Sequence, residues 1–352
     1  MPNWLEPMEQ TFEYYTVDPG TWKDVSRLTT ITSSKITRDI ETDTLGSASF
    51  DIDGQFGEAY IRTYLISIQN GVREKTPLGT YLVQSPSSKF DGARSSVSMD
   101  AYTPLIELKE NQPPLGYFCR KGSNIMEQAA LITAEHMRAP VVPATSQGVL
   151  YADFVSNTDD TWMTFLNDLT AMDKFYFNLD ELGRVLFAPK QDTASLQPVW
   201  TFDDSNSSIL YPEITIDHDL YGIPNVVEVV YSGKYDVYSA RVVNDNPNSP
   251  ISTVSRGREI TQRITDPSFP GEPTQRMVDE YAEQQLRDVS TLEYTVKYKH
   301  GYCPVRIGDC VRLDYKRAGI DGVKARVVSQ TITCEPGCPV EETAAFTQKL
   351  WR

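Results

Sequence analysis

The sequence predicts a mainly β protein with a small α+β insertion between two strand-rich domains. Two periodicities carry this prediction. Apolar residues alternate with polar ones before residue 108 and again after residue 200, as they do in strands with one buried face. Between about 110 and 190 the apolar spacing follows the helical repeat instead. Because 352 residues exceed the usual size of one domain, we expect three domains, over 1–108, 109–199 and 200–352.

The first domain, residues 1–108, is predicted to consist of short strands joined by turns. The strongest turn signals are Asp18-Pro19-Gly20 and Asn70-Gly71, which favour tight reversals of an extended chain. Strands are expected at 11–15, 22–28, 31–38, 45–52, 60–68, 78–83 and 95–101. Strands at such short spacing form a small barrel or sandwich.

The insertion, residues 109–199, opens with a linker at Asn111-Gln112-Pro113-Pro114. Two helices and a hairpin are predicted after it. They are a helix capped by Ser123 and stopped by Pro140, a helix starting at Thr158 or Asp159 with an apolar stripe from Trp162 to Met172, and strands at 175–179 and 184–188. A helical stripe of Trp, Phe, Leu and Met is typical of a packed core, so it predicts packing and not a ligand site.

The third domain, residues 200–352, returns to the strand period. Its clearest stretch, 292–333, predicts an antiparallel meander of successive strands, with turns at Ile307-Gly308-Asp309 and Gly319-Ile320-Asp321-Gly322. Further strands are expected at 211–217, 225–231 and 344–350, and a helix near 274–287. We therefore expect a second barrel that carries one helix.

The composition is strongly acidic, because 48 Asp and Glu oppose 33 Lys and Arg, for a formal net charge of −15. Such a surface repels phosphate backbones, which argues against sequence-specific binding of DNA or RNA. No apolar run reaches the length of a membrane span, and the start, MPNWLEPMEQ, lacks the basic and apolar regions of a signal peptide. We expect a chain that is made and folded in a cytoplasm.

The sequence Asp217-His218-Asp219 could be an acid–base or metal site, because carboxylates orient imidazole. The favoured interpretation is a polar turn after a strand, since such side chains commonly bond their own backbone. The pairs Asp159-Asp160 and Asp203-Asp204 could be catalytic carboxylates. They stand where helix caps or turns are expected, so we interpret them as capping residues.

Four of the five cysteines lie late in the chain, at Cys303, Cys310, Cys334 and Cys338. Four thiolates can hold zinc, but these spacings lack the two C-x-x-C knuckles of a convincing zinc site. We expect buried small hydrophobes or one late disulfide. No nucleophile elbow, phosphate-binding glycine loop, metalloprotease motif or calcium loop occurs. The sequence therefore assigns no catalytic, cofactor-binding or metal-binding residue and predicts neither an enzyme nor a cofactor.

Several short motifs occur in an order that resembles one known family. The motifs are Ile36-Thr37-Arg38, LGSASF at 45–50, LGTYLV at 78–83, VSMDAYTPL at 97–105, Asn225-Val226-Val227, the helix from Thr274 to Arg287, and Ile307-Gly308-Asp309-Cys310-Val311. Together they resemble the baseplate hub proteins of tailed phages and related contractile injection systems. The resemblance covers nearly the whole chain in order.

The resemblance implies two tube-protein-like β-barrel domains in tandem and a homotrimer at the end of a tail tube. Three copies would present a pseudo-sixfold ring to the hexameric tube and threefold symmetry to a central spike. The other implied partners are a distal tail protein, the tape measure protein and, in a contractile tail, baseplate wedge proteins. The implied role is structural, in a virion assembled in the host cytoplasm, and DNA passes through the ring. Part of the acidic charge would then line its lumen and keep DNA from adhering.

Two alternatives stay open. One is a tail-tip module that binds a receptor or a carbohydrate, for which exposed aromatic side chains would be the mark. The other is a cell-wall hydrolase built on Asp217, His218 and Asp219 or on the acidic pairs.

Overall fold

The computed structural model describes residues 2–54, 56–90, 92, 95–205, 208–218, 220–233, 236–267, 269 and 274–350. The chain divides into two compact units. Unit 1 comprises Met1–Ile214 and Lys297–Ala344, and unit 2 comprises Thr215–Val296 and Ala345–Arg352. Strands account for 47% of the structure and helices for 16%, so the prediction of a mainly β protein is confirmed.

Unit 1 begins with seven strands in one antiparallel sheet, in the order β2-β1-β5-β6-β7-β4-β3. They are β1 (Glu9–Val17), β2 (Asp24–Leu28), β3 (Ile31–Asp39), β4 (Gly46–Asp53), β5 (Tyr60–Gln69), β6 (Val72–Phe90) and β7 (Ser95–Tyr102). All seven correspond to predicted strands. The inward positions of β4, which are Ala48, Phe50 and Ile52, are buried as their alternation predicted.

β6 is much longer than the predicted strand at 78–83. It pairs with β5 from Val72 to Leu82 and with β7 from Leu82 to Phe90, so its two halves serve different neighbours. Pro77 and Pro86 lie within it, and proline lacks the N–H that a strand ladder uses. These prolines interrupt the strand signal in the sequence and explain why the ends of β6 were missed.

The start of β4 depends on a glycine. Gly46 has φ +131°, and a β-carbon there would lie 2.1 Å from the carbonyl oxygen of Thr37 on β3. Gly54 has φ +113°, but a β-carbon there would meet no described atom within 4 Å. The two positions therefore share an unfavourable φ and differ in the space available.

We expect Gly46→Ala to destabilise the protein more than Gly54→Ala. Alanine at Gly54 should cost about 1–2 kcal/mol of unfolding free energy from backbone strain alone. Alanine at Gly46 should cost about 2–3 kcal/mol more, because the β3–β4 ladder must open to make room. Urea unfolding of both variants measures the difference. Equal losses would show that β3 and β4 lie further apart than described.

The insertion follows the first sheet and contains the predicted helices and hairpin. Its elements are α1 (Ile106–Glu110), β8 (Phe118–Cys119), α2 (Ile125–His136), β9 (Phe154–Val155), α3 (Trp162–Met172), β10 (Phe175–Leu179) and β11 (Val185–Pro189). The predicted caps were wrong by one to three residues. Asn124, not Ser123, caps α2, and Thr161, not Thr158 or Asp159, caps α3. Each side chain accepts a hydrogen bond from the backbone N–H three residues on, which any short polar residue nearby could have done.

One hydrophobic core joins the insertion to the first sheet. Trp162 and Phe165 of α3 lie in the same buried cluster as Val17, Trp22 and Tyr60 of the sheet region. Trp162 stacks on the His136 ring at 4.0 Å between centroids. The helical stripe is thus core from Trp162 to Leu169, as its spacing predicted, but its last predicted member, Met172, is exposed. The three predicted domain boundaries stay a prediction, since residues on both sides of 108 share this core.

The rest of the chain adds nine strands and two helices. They are β12 (Trp200–Asp203), β13 (Leu210–His218), β14 (Val226–Ser232), β15 (Val237–Val243), α4 (Thr253–Arg256), β16 (Thr261–Thr265), α5 (Gln275–Val289), β17 (Thr291–Gly301), β18 (Cys310–Tyr315), β19 (Ile320–Thr333) and β20 (Pro339–Lys349). The division between the two units falls within β13, β17 and β20.

The predicted meander over 292–333 is only partly correct. β18 and β19 pair antiparallel, as predicted. β17 and β18 are not neighbours, because β17 lies between β13 and β20, and β20 lies next to β19. The second predicted turn is also displaced, since a short 3-10 helix at Lys316–Ala318 makes it and β19 already begins at Ile320. β19 then pairs with β3, so strands from the two ends of the sequence share one sheet.

The two predicted closed barrels are not confirmed. The path of the large sheet ends at β2 on one side and at β13 on the other, with β12 attached through β18, and no sheet closes among the described residues. The strand β12 pairs with β18 alone and runs parallel to it. The sheet therefore has open edges at β2, β12 and β13.

In unit 2, the sheet β15-β14-β16 packs one face on α5. Val227 and Val229 of β14 meet Val278, Ala282 and Leu286 of α5 in a buried cluster. The predicted helix near 274–287 and the predicted strand at 225–231 are therefore both present. β15 and β16 were missed: β16 has the largely polar sequence TQRIT, and only Ala240 of β15 is buried. In the described part of the chain, no helix is both long and apolar enough to span a membrane.

Candidate functional site

Five polar side chains meet in the interior of unit 1 and form what we call the polar cluster. They are Arg38 of β3, Tyr298 and His300 of β17, Gln330 of β19 and Glu342 of β20. Each of the last four occupies a buried position of its strand. The strand alternation that buries apolar neighbours thus also buries these polar groups.

Glu342 is the centre of the polar cluster. One carboxylate oxygen accepts a hydrogen bond from the Tyr298 hydroxyl. The other accepts from Nε2 of Gln330 at 2.6 Å and lies 3.5 Å from Nε2 of His300. Gln330 extends the cluster, because its Nε2 also donates to the Val305 carbonyl and its Oε1 accepts from Arg38 at 3.2 Å. Burial, followed by the nearby Glu342 charge, raises the pKa of Tyr298 well above its usual value, so the hydroxyl keeps its proton.

The polar cluster has a superficial likeness to a catalytic triad. The Cys303 thiol lies 3.9 Å from Nδ1 of His300, whose other nitrogen faces Glu342. Nδ1 is, however, 2.7 Å from the Gly301 carbonyl oxygen, a contact that requires this nitrogen to carry the proton. Burial raises the pKa of Cys303 strongly, which keeps the thiol protonated. His300 is 0% exposed, so no substrate reaches it. The geometry is that of a core which ties strands together.

Of the Asp217-His218-Asp219 sequence, the structure describes the first two residues. Asp217 and His218 are the last two residues of β13, so the predicted polar turn begins later than expected, and both are exposed. The His218 ring lies 5.1 Å from the Tyr294 ring. Asp219 lies outside the described residues. Adjacent residues of a strand face opposite sides, so Asp217 and His218 do not converge on one point.

The two acidic pairs lie where caps and turns are needed. Asp160 accepts a hydrogen bond from the backbone N–H of Asn157 at 2.7 Å, just before α3. Asp203 accepts from the backbone N–H of Ser205 at 2.9 Å. These bonds fit the interpretation as local capping residues.

The late cysteines do not gather at one site. Cys303 lies beside His300, Cys310 lies 3.9 Å from the Thr193 carbonyl, and Cys334 and Cys338 lie in the turn between β19 and β20. All are free thiols, and Cys303, Cys310 and Cys338 are buried. Among the described residues no group of His, Cys, Asp and Glu has the arrangement of a metal site.

A second polar feature holds the insertion against the sheets of unit 1, and we call it the carbonyl clamp. The Leu182 carbonyl in the β10–β11 turn accepts from Nε1 of Trp22 at 2.8 Å and from Arg62 at 3.0 Å. The Leu179 carbonyl accepts from Arg306 at 2.7 Å. Arg62 is only 4% exposed, and it also pairs with Asp24 at 2.8 Å. The insertion is thus fixed from both strand-rich regions through its main chain.

The insertion also exposes apolar side chains, and two of them, Phe118 and Val155, form what we call the apolar patch. Phe118 and Val155 face each other across β8 and β9 and are 45% and 54% exposed. Leu115 and Tyr151 are more exposed still, at 85% and 90%. Apolar side chains grouped on a surface commonly mark contacts with other proteins. The sequence did not predict this patch, because strands of two residues are too short to show an alternation.

Comparison with known proteins finds similarity in structure and not in sequence. No protein-family model matches the chain, and no curated protein does. A tail protein from Neisseria meningitidis superposes with a TM-score of 0.61 at 12% identity, over 97% of this chain and 98% of that one. The 43 kDa tail protein of prophage MuSo2 from Shewanella oneidensis gives 0.62 at 11% identity, over 95% and 98%.

A third similar structure is a chain of the Francisella PdpA-VgrG complex. It matches with a TM-score of 0.58 at 9% identity, over 97% of this chain and 53% of that chain. The chain therefore has the fold of phage tail proteins, as the order of its motifs predicted.

Proposed function

We propose that this protein is the structural hub of a phage tail baseplate. The observation that carries the proposal is the match, along almost the full length of both partners, with two phage tail proteins. The buried polar cluster and the carbonyl clamp add support, because they serve to hold strands and insertion in place.

In this proposal three copies form a ring at the end of the tail tube. Each copy supplies two tube-like barrels, so the trimer offers sixfold pseudosymmetry to the tube and threefold symmetry to the central spike. The sheet edges at β2, β12 and β13 would be covered by neighbouring subunits, since uncovered edges invite unwanted pairing. The three-domain division at 108 and 199 belongs to the same proposal.

The partners proposed for the ring are the tail tube or distal tail protein, the central spike, the tape measure protein and, in a contractile tail, the wedge proteins. DNA would pass through the ring without sequence-specific contact. The net charge of −15 fits that passage, because carboxylates facing the lumen would repel the phosphates of DNA. A trimer with a basic lumen would refute this part of the proposal.

We expect the purified chain, mixed with its tube or spike partner, to form a threefold ring. Light scattering after size exclusion should give three times the 39.7 kDa subunit mass for this chain in the complex. Electron microscopy of assembled tails should show threefold symmetry at this ring, directly below a sixfold tube. A monomer bound at the periphery of the tail would contradict the proposal.

One observation favours a second candidate, a tail-tip module that binds a receptor or carbohydrate. Tyr151 and Tyr221 are 90% and 92% exposed, and exposed aromatic rings can stack on sugars. Glycan binding by the isolated chain, lost in Tyr151→Ala, would favour this candidate over the hub. The hydrolase alternative would need an infection-linked lytic activity that His218→Ala removes while assembly stays intact.

A further inference from the structure

Cys334 and Cys338 lie at the two sides of a tight hairpin turn. β19 ends at Thr333 and β20, its neighbour in the sheet, begins at Pro339. The Cys338 N–H donates to the Glu335 carbonyl at 2.8 Å, which closes a turn around the two residues between them. Cys334 directly precedes this turn, and Cys338 is its last residue.

A disulfide spans Cα atoms roughly 4.4–6.8 Å apart, and the first and last Cα atoms of a β-turn lie less than about 7 Å apart. Both side chains belong to the same hydrophobic cluster beside Tyr14. Cys334 is held in place, because its N–H donates to the Ser34 carbonyl of β3 at 3.0 Å. The spacing of Cys334 and Cys338, which argued against a zinc site, is therefore suited to a disulfide within the turn.

The two thiols differ in access. Cys334 is half-buried, whereas Cys338 is 0% exposed. A small reagent can therefore reach Cys334, whereas Cys338 is enclosed. This arrangement supplies an entry thiol and a resolving thiol on one turn.

We propose that Cys334 and Cys338 form an oxidation site, which a low-molecular-weight disulfide converts to an intramolecular disulfide. The Cys334 thiolate attacks one sulfur of the reagent RSSR, forms a mixed disulfide and releases one RS⁻. The Cys338 thiolate then attacks the Cys334 sulfur and releases the second RS⁻. The protein loses two electrons and two protons, and the reagent is reduced to two RSH. The bridge would tie the β19–β20 hairpin.

The rate should depend on pH in a defined way. Burial raises the pKa of Cys338 well above its ordinary value and is the main reason that the pKa of Cys334 is raised to about 11. The reactive thiolate is therefore a minor species at neutral pH, and its fraction rises about tenfold for each pH unit below that pKa. We expect slow oxidation near pH 7 that accelerates roughly in this proportion up to pH 9.

The test uses the full chain and hydroxyethyl disulfide. Titration of the unfolded product should find three free thiols where the untreated chain has five. Trypsin releases both cysteines in one peptide, residues 327–349, whose mass should fall by two hydrogen atoms and return after reduction. The proposal fails if this peptide stays reduced at pH 9 or if Cys334 pairs with another cysteine.

Single replacements separate the two steps. Cys338→Ser should stop at the mixed disulfide and retain a hydroxyethylthio group on Cys334, and Cys334→Ser should leave peptide 327–349 unmodified. Cys310→Ser is the matched control, and it should oxidise at 327–349 like the unaltered chain. Absence of the trapped adduct in Cys338→Ser, with its fold intact by circular dichroism, would overturn the proposal.

Discussion

Replacing Glu342 with alanine is expected to lower the free energy of unfolding by about 3–5 kcal/mol, one of the largest effects of any single change in this chain. The reason is the number of groups that lose their partner. The Tyr298 hydroxyl and Nε2 of Gln330 both donate to the Glu342 carboxylate in the buried interior. Alanine removes the acceptor and leaves a cavity that the strand backbones cannot close. Urea unfolding followed by tryptophan fluorescence measures the loss.

The neighbouring Glu341 provides a matched control. Glu341 makes one exposed ion pair, 3.3 Å from Lys299, and its side chain is 64% exposed. Exposed pairs of this kind contribute between about 0 and 1 kcal/mol, so Glu341→Ala should change stability little. If the two variants lose the same stability, the polar cluster does not hold β17, β19 and β20 together.

Replacing Arg62 with alanine is expected to cost about 2–4 kcal/mol and to loosen the insertion. The guanidinium donates to the carbonyl of Leu182, to Thr80 and to Asp24, and it lies almost wholly out of solvent. Its removal leaves the Asp24 carboxylate and the Leu182 carbonyl without the donor that they share. Because the Leu182 carbonyl anchors the β10–β11 turn, hydrogen exchange should rise in that turn before the sheet itself opens.

Arg73 is the control for this second change. Its side chain is 51% exposed, and it pairs with Glu13 at 3.0 Å, a carboxylate that Arg27 also contacts. Arg73→Ala should therefore cost less than about 1 kcal/mol and leave exchange in the β10–β11 turn unchanged. Faster exchange of that turn in Arg73→Ala, or none in Arg62→Ala, would show that the carbonyl clamp does not fix the insertion.

The strands and helices were largely predictable, but their neighbours were not. Alternation in β17, β18 and β19 identified each strand and its buried face. The alternation within a strand shows which of its faces is buried, but it does not show which strand lies beside it. The intervention of β20 between β17 and β19, and the pairing of β19 with β3, depend on contacts far apart in sequence. The meander prediction assumed local pairing and failed for that reason.

The polar cluster was missed although a signal for it existed. Val340, Glu342 and Ala344 are all buried, so Glu342 occupies an inward position of an alternating strand. Tyr298 and His300 follow Val296 in the same way. A carboxylate and an imidazole in inward register predict buried partners, since buried polar groups are almost always hydrogen-bonded. The partner Gln330 could not be found, because the buried positions of β19 change from odd-numbered to even-numbered residues between Val327 and Gln330.

The carbonyl clamp affects how freely the sequence of the β10–β11 turn can change. The carbonyls of Leu182 and Leu179 accept hydrogen bonds from the side chains of Trp22, Arg62 and Arg306. A main-chain carbonyl is present whatever side chain the residue has. Substitutions can therefore change the side chains of the turn without breaking these hydrogen bonds, as long as the backbone path and the donor side chains are kept. Main-chain contacts of this kind place few demands on the sequence, and this chain shares its fold with two tail proteins at 11–12% identity.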